Sequence, residues 1–221
     1  MTSMRRLGWA GMTLLGLLVG YGSLVYVLGD PAHYDAVFRP KYTYYHTMVV
    51  THGVTSVLAL LLGPWQFLPL RPDRPTPRRQ NPAGCNLWHR RLGWLYFLAL
   101  GIGALTGMPM AFMAEGGVSA RLGFFSVDVL WLVTAWLALR TARQRKFGAH
   151  RRWMIRSYAL TFGAVVLRLY LYCLQHLGYE FNSIYPYTPW LSWLTSLAVA
   201  EWILVGAGRA DLSKSVTPLT D

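Results

Sequence analysis

Six long runs of mainly apolar residues alternate along the chain with short connections rich in Gly, Pro and Arg. A membrane-spanning helix needs about 20 largely apolar residues, because it crosses roughly 30 Å of hydrocarbon at 1.5 Å per residue. Six stretches meet this requirement, at residues 7–29, 43–68, 88–113, 122–139, 153–176 and 189–206. The pattern predicts an all-α integral membrane protein. We expect one transmembrane domain over residues 1–221, a bundle of six transmembrane helices, with a short polar tail at residues 209–221.

The positions of the Lys and Arg residues along the chain indicate the orientation of the predicted spans. The 221 residues are 54% hydrophobic and 14% charged, with a formal net charge of +12. Such a charge is typical of nucleic-acid binding, but the long apolar runs leave no continuous aqueous basic face, so no nucleic-acid partner is expected. Of the 21 Lys and Arg residues, 16 fall on the side of the two termini and three on the other side. This positive-inside pattern predicts both termini in the cytoplasm.

The sequence excludes several catalytic classes. It contains no P-loop, HExxH or GxSxG motif and no pair of carboxylates placed for hydrolysis, so kinases and hydrolases are not expected. Cys85 falls in a predicted cytoplasmic connection, whereas Cys173 falls near the outer end of the fifth span. The two thiols are therefore predicted on opposite sides of the membrane, where they cannot form a disulfide with each other.

Four ionisable residues inside the spans are matched in predicted depth. Counting about 1.5 Å per residue from the nearer span end places Asp128 and Arg168 roughly 10 Å from the outer side. The same count places Arg156 and Glu201 about 6–9 Å from the cytoplasmic side. Since a charge at this depth needs a partner or a function, we expect ion pairs Asp128–Arg168 and Arg156–Glu201. Alternatively, Arg168 holds an anionic ligand, such as a propionate, or a quinone carbonyl.

Two histidines open spans three and five at the cytoplasmic side, each in a His-Arg-Arg step. They are His89 and His150, and the arginines are Arg90, Arg91, Arg151 and Arg152. A b-type haem needs two imidazoles at matching depth on different helices. Nearby arginines at the membrane edge can bind its anionic propionates. The pair therefore predicts a haem iron ligated by His89 and His150, although interfacial anchoring by the two steps also explains the arginines.

Span two carries His52 about 14 Å inside the membrane, close to its middle. An imidazole at that depth is a candidate cofactor ligand or proton carrier. The alternative is a neutral histidine bonded to a threonine or a backbone carbonyl. His46 on the same span and His176 at the outer end of span five form a weaker candidate metal pair at the outer side.

The motifs resemble a family of bacterial membrane proteins, domain of unknown function 2306. The resemblance covers roughly residues 43–177. It rests on the histidine of span two followed by Leu62–Phe67, on His89-Arg-Arg-Leu-Gly-Trp, on His150-Arg-Arg-Trp-Met-Ile-Arg-Ser-Tyr158 and on Arg168-Leu-Tyr. It implies a multi-span protein of the bacterial inner membrane. The architecture is also loosely similar to two-haem transmembrane b-type cytochromes, although span four carries no histidine.

These observations predict an inner-membrane protein that binds haem b and passes electrons to or from quinone or another redox partner. If the chain is an enzyme, we expect a membrane oxidoreductase. One alternative is a non-enzymatic membrane protein whose histidines and ion pairs are structural. The other is a small proton-coupled transporter that uses His52, Asp128 and Arg168.

Overall fold

The computed structural model describes residues 3–67, apart from residues 31, 33, 35 and 37, and residues 87–216. The described chain is helical, and no strand occurs within it. Its helices group into two compact units, one ending at Met113 and the other beginning at Ala114. We refer to these as unit 1 and unit 2.

Unit 1 contains helices α1 (Ser3–Leu28), α2 (Arg39–Tyr44), α3 (His46–Leu62) and α4 (Leu87–Phe112). A 3₁₀ turn at Pro64–Phe67 follows α3. Helix α3 packs against both α1 and α4. Small residues permit the close approach of α1 and α3, because a Cβ atom on Gly53 would lie 2.9 Å from the Val27 side chain.

Unit 2 contains helices α5 (Gly117–Arg143), α6 (Phe147–His176), α7 (Phe181–Ile184) and α8 (Thr188–Val216). Helices α5, α6 and α8 pack against one another and enclose the core of this unit. The buried face of α5 includes Gly123, Trp131, Ala135 and Ala138 at the spacing of a helical stripe. Gly123 is the point of closest approach to α8, since a Cβ atom there would lie 2.9 Å from Pro189.

Five helical segments are long and apolar enough to cross a membrane. They are Leu7–Leu28, His46–Phe67, Leu87–Phe112, Gly117–Arg143 and Phe147–His176. They correspond to the first five spans predicted from the sequence. Helix α8 takes the place of the sixth, predicted over residues 189–206, but is not among these five. Six spans and cytoplasmic termini therefore stay predictions.

Four helices, α1, α5, α6 and α8, are longer than the apolar runs that predict them, whereas α3 is shorter than its run and α4 equals its run in length. Helix α5 begins at Gly117 rather than at residue 122, and α6 begins at Phe147 rather than at residue 153. Helix α8 continues to Val216, so the first part of the predicted polar tail is helical. The reason is that an apolar run measures the hydrocarbon crossed, whereas backbone hydrogen bonding continues through polar residues beyond it. Cys85 and the basic residues of the second connection lie outside the described residues.

Candidate functional site

Two of the candidate histidines are held by a backbone carbonyl of the neighbouring helix. His52 Nδ1 lies 2.9 Å from the Gly103 oxygen in unit 1, and His150 Nδ1 lies 2.8 Å from the Ala138 oxygen in unit 2. A carbonyl only accepts, so each Nδ1 carries the proton and donates it. In that tautomer Nε2 is the acceptor nitrogen, which is the arrangement common in metal-binding histidines. For His52, a backbone carbonyl partner also agrees with the alternative that this histidine is neutral and has a structural role.

His150 is the clearest candidate ligand. Its ring is half-buried in the first turns of α6, and the Ala138 carbonyl is the hydrogen-bond partner found for it within the described residues. Arg151 and Arg152 follow it and are exposed. His89 is likewise half-buried near the start of α4. His89 belongs to unit 1 and His150 to unit 2, so their shared ligation of one haem stays a prediction from the sequence.

The outer candidate pair, His46 and His176, also divides between the two units. His46 is the first residue of α3 and is half-buried. His176 is the last residue of α6 and is exposed; its Nδ1 donates to the Tyr172 carbonyl of its own helix at 2.9 Å, and its ring lies against the Tyr172 ring. The contacts of His176 are thus local to the end of α6, and a metal site with His46 stays a prediction.

Arg156 and Glu201 form a two-point ion pair between α6 and α8. Arg156 Nη2 donates to Glu201 Oε2 at 2.9 Å, and Arg156 Nε donates to the other carboxylate oxygen. The guanidinium also lies over the Trp153 ring, 4.8 Å from its centroid. The parallel geometry is the strong form of an arginine–carboxylate interaction. The structure therefore brings together the two residues that the matched depths predict as partners.

Asp128 and Arg168 are not joined by an ion pair in the described part of the chain. Asp128 lies on the buried face of α5 with 7% of its surface exposed, whereas Arg168 lies on an exposed face of α6 and donates to the Ala164 carbonyl. Counted along the helices, Asp128 lies about 16 Å from the start of α5, and Arg168 lies about 12 Å from the end of α6.

The buried polar side chains of the described residues concentrate in unit 2. Seven polar or charged side chains in the described residues are buried, and all belong to unit 2: Asp128, Thr134, Ser157, Thr161, Thr188, Ser192 and Ser196. Trp131 donates from Nε1 to Thr161 Oγ1 at 2.8 Å, linking α5 to α6. Trp193 is 9% exposed, and its buried Nε1 has no hydrogen-bond partner among the described residues.

Trp193 is the residue of this cluster that sequence reasoning missed. A tryptophan in an apolar run is most simply interpreted as lipid-facing or interfacial. The spacing Ser192, Ser196 and Ala200 marks a stripe of small residues on α8 and could have indicated the helix face that is buried. Nothing in the sequence indicates that the indole N–H next to this stripe lacks a partner.

Unit 1 has a second polar corner at the Pro64–Phe67 turn. Trp9 Nε1 donates to the Pro64 carbonyl at 2.9 Å, and the Trp9 and Trp65 rings meet edge to face. Gln66 Oε1 lies 3.6 Å from the position of a Cβ atom on Gly93. This corner ties α1 and the turn after α3 to the first turns of α4, so its evident role is structural.

The described residues contain no group of three or more His, Cys, Asp or Glu side chains able to hold a metal ion. The long apolar helices and the buried charged and polar groups between them define a helical membrane protein. The family described as Predicted membrane protein (DUF2306) matches residues 49–204, and the chain belongs to this family. The resemblance drawn from the sequence motifs is thereby confirmed. No curated protein and no solved structure matches the chain.

Proposed function

We propose that this chain is a membrane electron-transfer protein that binds a b-type haem through His150. The observation that supports the proposal is the hydrogen bond from His150 Nδ1 to the Ala138 carbonyl. It fixes the ring and its tautomer so that Nε2 is the nitrogen available to iron. Haem would supply one-electron chemistry at the end of the bundle.

The surroundings of His150 fit a haem at the membrane edge. Arg151 and Arg152 are exposed one and two residues further along α6, where guanidinium groups can bind propionates. The second axial ligand predicted from the sequence is His89, with Arg90 beside it. Arg168 lies far along α6 from this end and is assigned no propionate; an anionic ligand or a quinone carbonyl remains its proposed partner.

An absorption spectrum of detergent-purified protein tests the haem. The protein is expressed with iron and a haem precursor, and spectra are taken air-oxidised and dithionite-reduced. We expect a Soret band and reduced α and β bands in the wild type, and their loss in His150→Ala and His89→Ala. Gln175→Ala is the control, because Gln175 is exposed near the end of α6 and is no candidate ligand. No Soret band in the wild type rejects haem binding, and bands that survive both variants reject the ligand assignment.

A proton-coupled carrier is a second candidate function, favoured by the buried Asp128 carboxylate. Of the three residues proposed for it, His52 belongs to unit 1, and Asp128 and Arg168 belong to unit 2. The test is proton entry into proteoliposomes that contain a pH-sensitive dye, driven by an imposed membrane potential. We expect acidification with the wild type and none with Asp128→Asn; equal rates in both would reject the carrier.

We further propose that the protein lies in the bacterial inner membrane with both termini in the cytoplasm. The support is the 16 to 3 distribution of Lys and Arg between the two sides of the predicted spans.

A further inference from the structure

We propose that unit 2 contains a proton-binding site inside the membrane, at the carboxyl group of Asp128. Asp128 is 7% exposed in the interior formed by α5, α6 and α8. No hydrogen bond or ion pair to it occurs among the described residues. An ionised carboxylate with so little exposed surface and no cation in contact is strongly unfavourable in a membrane interior. A bound proton removes that charge. The inference depends on neither haem binding nor transport.

Helix register places the unpartnered Trp193 indole at the level of Asp128. Helices α5 and α6 run antiparallel, and Trp131 meets Thr161. Asp128 lies three residues before Trp131, which makes it level with the α6 residue about three positions beyond Thr161, close to Gly163. A Cβ atom on Gly163 would lie 3.7 Å from Trp193 Cα. Asp128 and Trp193 therefore lie at about the same level of the three-helix interior.

The hydroxyl groups of this interior favour the protonated acid over the carboxylate. Ser192 Oγ donates to the Pro189 carbonyl at 2.7 Å, and Ser196 Oγ donates to the Ser192 carbonyl at 2.7 Å. Their protons are committed, so these oxygens can only accept a further hydrogen bond. They can receive the O–H of a carboxylic acid, and the Trp193 N–H can donate to its carbonyl oxygen.

Among the described residues of α5, α6 and α8, no cationic side chain is placed to neutralise an Asp128 carboxylate. On α6, Arg168 is exposed and Arg156 is paired with Glu201 of α8. The buried Tyr158 lies one turn before Thr161, on the side away from the Asp128 level. On α5, Arg121 is exposed and donates to the Ala114 carbonyl. Between Thr188 and Ala200, α8 carries no titratable residue.

Infrared difference spectroscopy of the reconstituted protein tests the site directly. Spectra recorded between neutral and alkaline pH report the C=O stretch of a protonated carboxylic acid, which shifts in D₂O. We expect this band in the wild type, its loss in Asp128→Asn and its retention in Asp30→Asn, since Asp30 is exposed. A band that survives in Asp128→Asn, or the absence of any band from the wild type, would overturn the proposal.

Thermal unfolding in detergent gives an independent readout. A proton bound only in the folded state makes the wild-type unfolding temperature fall as pH rises through the release of that proton. Asp128→Asn has the shape of the neutral acid, so we expect it to fold and to lose this pH dependence. If Asp128→Asn and Arg168→Gln are both strongly destabilised, the carboxylate is ion-paired instead. An unfolding temperature that depends on Na⁺ rather than on pH would show a metal cation site and would also reject the proposal.

Discussion

Arg156 and Glu201 are the residues for which the structure gives the most specific energetic expectation. Their side chains are 23% and 48% exposed, and two parallel hydrogen bonds join them. Both side chains are only partly buried, so we expect a coupling in the modest range of ion pairs near a surface. Breaking the pair also releases the Arg156 guanidinium from its position over the Trp153 ring.

A double-mutant cycle measures this pair. We expect Glu201→Gln and Arg156→Gln each to lower the free energy of unfolding, and the double variant to lose about 1 kcal/mol less than the sum of the single losses. The measurement is denaturant unfolding in detergent, followed by tryptophan fluorescence. Glu180→Gln is a suitable control, because Glu180 is an exposed carboxylate that precedes α7. Strictly additive losses would show that the observed contact contributes no coupling.

At the residue scale, the sequence predicts which charges lie in the membrane better than it predicts their partners. Arg156 and Glu201 meet as the depth count predicts. The same count matches Asp128 to Arg168, but a depth count does not say which face of α6 is buried. Burial of the carboxylate and exposure of the guanidinium follow from the rotational phase of each helix, which packing decides. The tautomers of His52 and His150 depend in the same way on carbonyls of neighbouring helices.

At the element scale, glycines decide how closely the helices pack. Gly123 on α5 faces Pro189 and Trp190 at the start of α8, and the Trp190 indole donates to the Ser119 carbonyl. There is thus no space for a side chain at residue 123. By contrast, a Cβ atom on Gly101 of α4 would have no neighbour within 4 Å. The two positions form a matched pair for testing close packing.

We expect Gly123→Ala to destabilise the protein by about 1–3 kcal/mol, because α8 must move or Trp190 must leave its hydrogen bond. Gly101→Ala should be neutral or should stabilise by up to about 1 kcal/mol, because alanine favours the helix and meets no atom. Thermal unfolding of the two variants beside the wild type measures both effects. Equal stability of the two variants would contradict the close approach of α5 and α8.

The element boundaries show where sequence patterns lose accuracy. Apolar runs locate the first five spans, and their centres agree with the helices. The helix ends depend on backbone hydrogen bonds that polar residues also make, so α5 and α6 approach each other to leave only residues 144–146 between them. At Arg145 the chain turns with φ of 57°, a conformation for which the sequence offers no glycine as a signal.

At the scale of the whole molecule, we propose that the distribution of most basic residues reflects the orientation of the protein in the membrane. The positive-inside pattern predicts both termini in the cytoplasm, and this arrangement requires an even number of spans. Whether α8 crosses the membrane decides the side of the C-terminus, because five spans would leave it outside and six would bring it into the cytoplasm. Its length of 29 residues is sufficient for a crossing. The two cysteines provide natural reporters of this arrangement.

Labelling with a membrane-impermeant maleimide tests the orientation. In Cys85→Ser, the remaining Cys173 is exposed near the end of α6, and we expect it to react from the outer side of intact spheroplasts. In Cys173→Ser, we expect Cys85 to react only after permeabilisation, which also serves as the reactivity control for both variants. A C-terminal green fluorescent protein should fluoresce if α8 crosses to the cytoplasm, since this reporter does not mature after export through the general secretory route. Labelling of Cys85 from outside would invert the predicted topology, and a dark, exported C-terminus would reduce the number of spans to five.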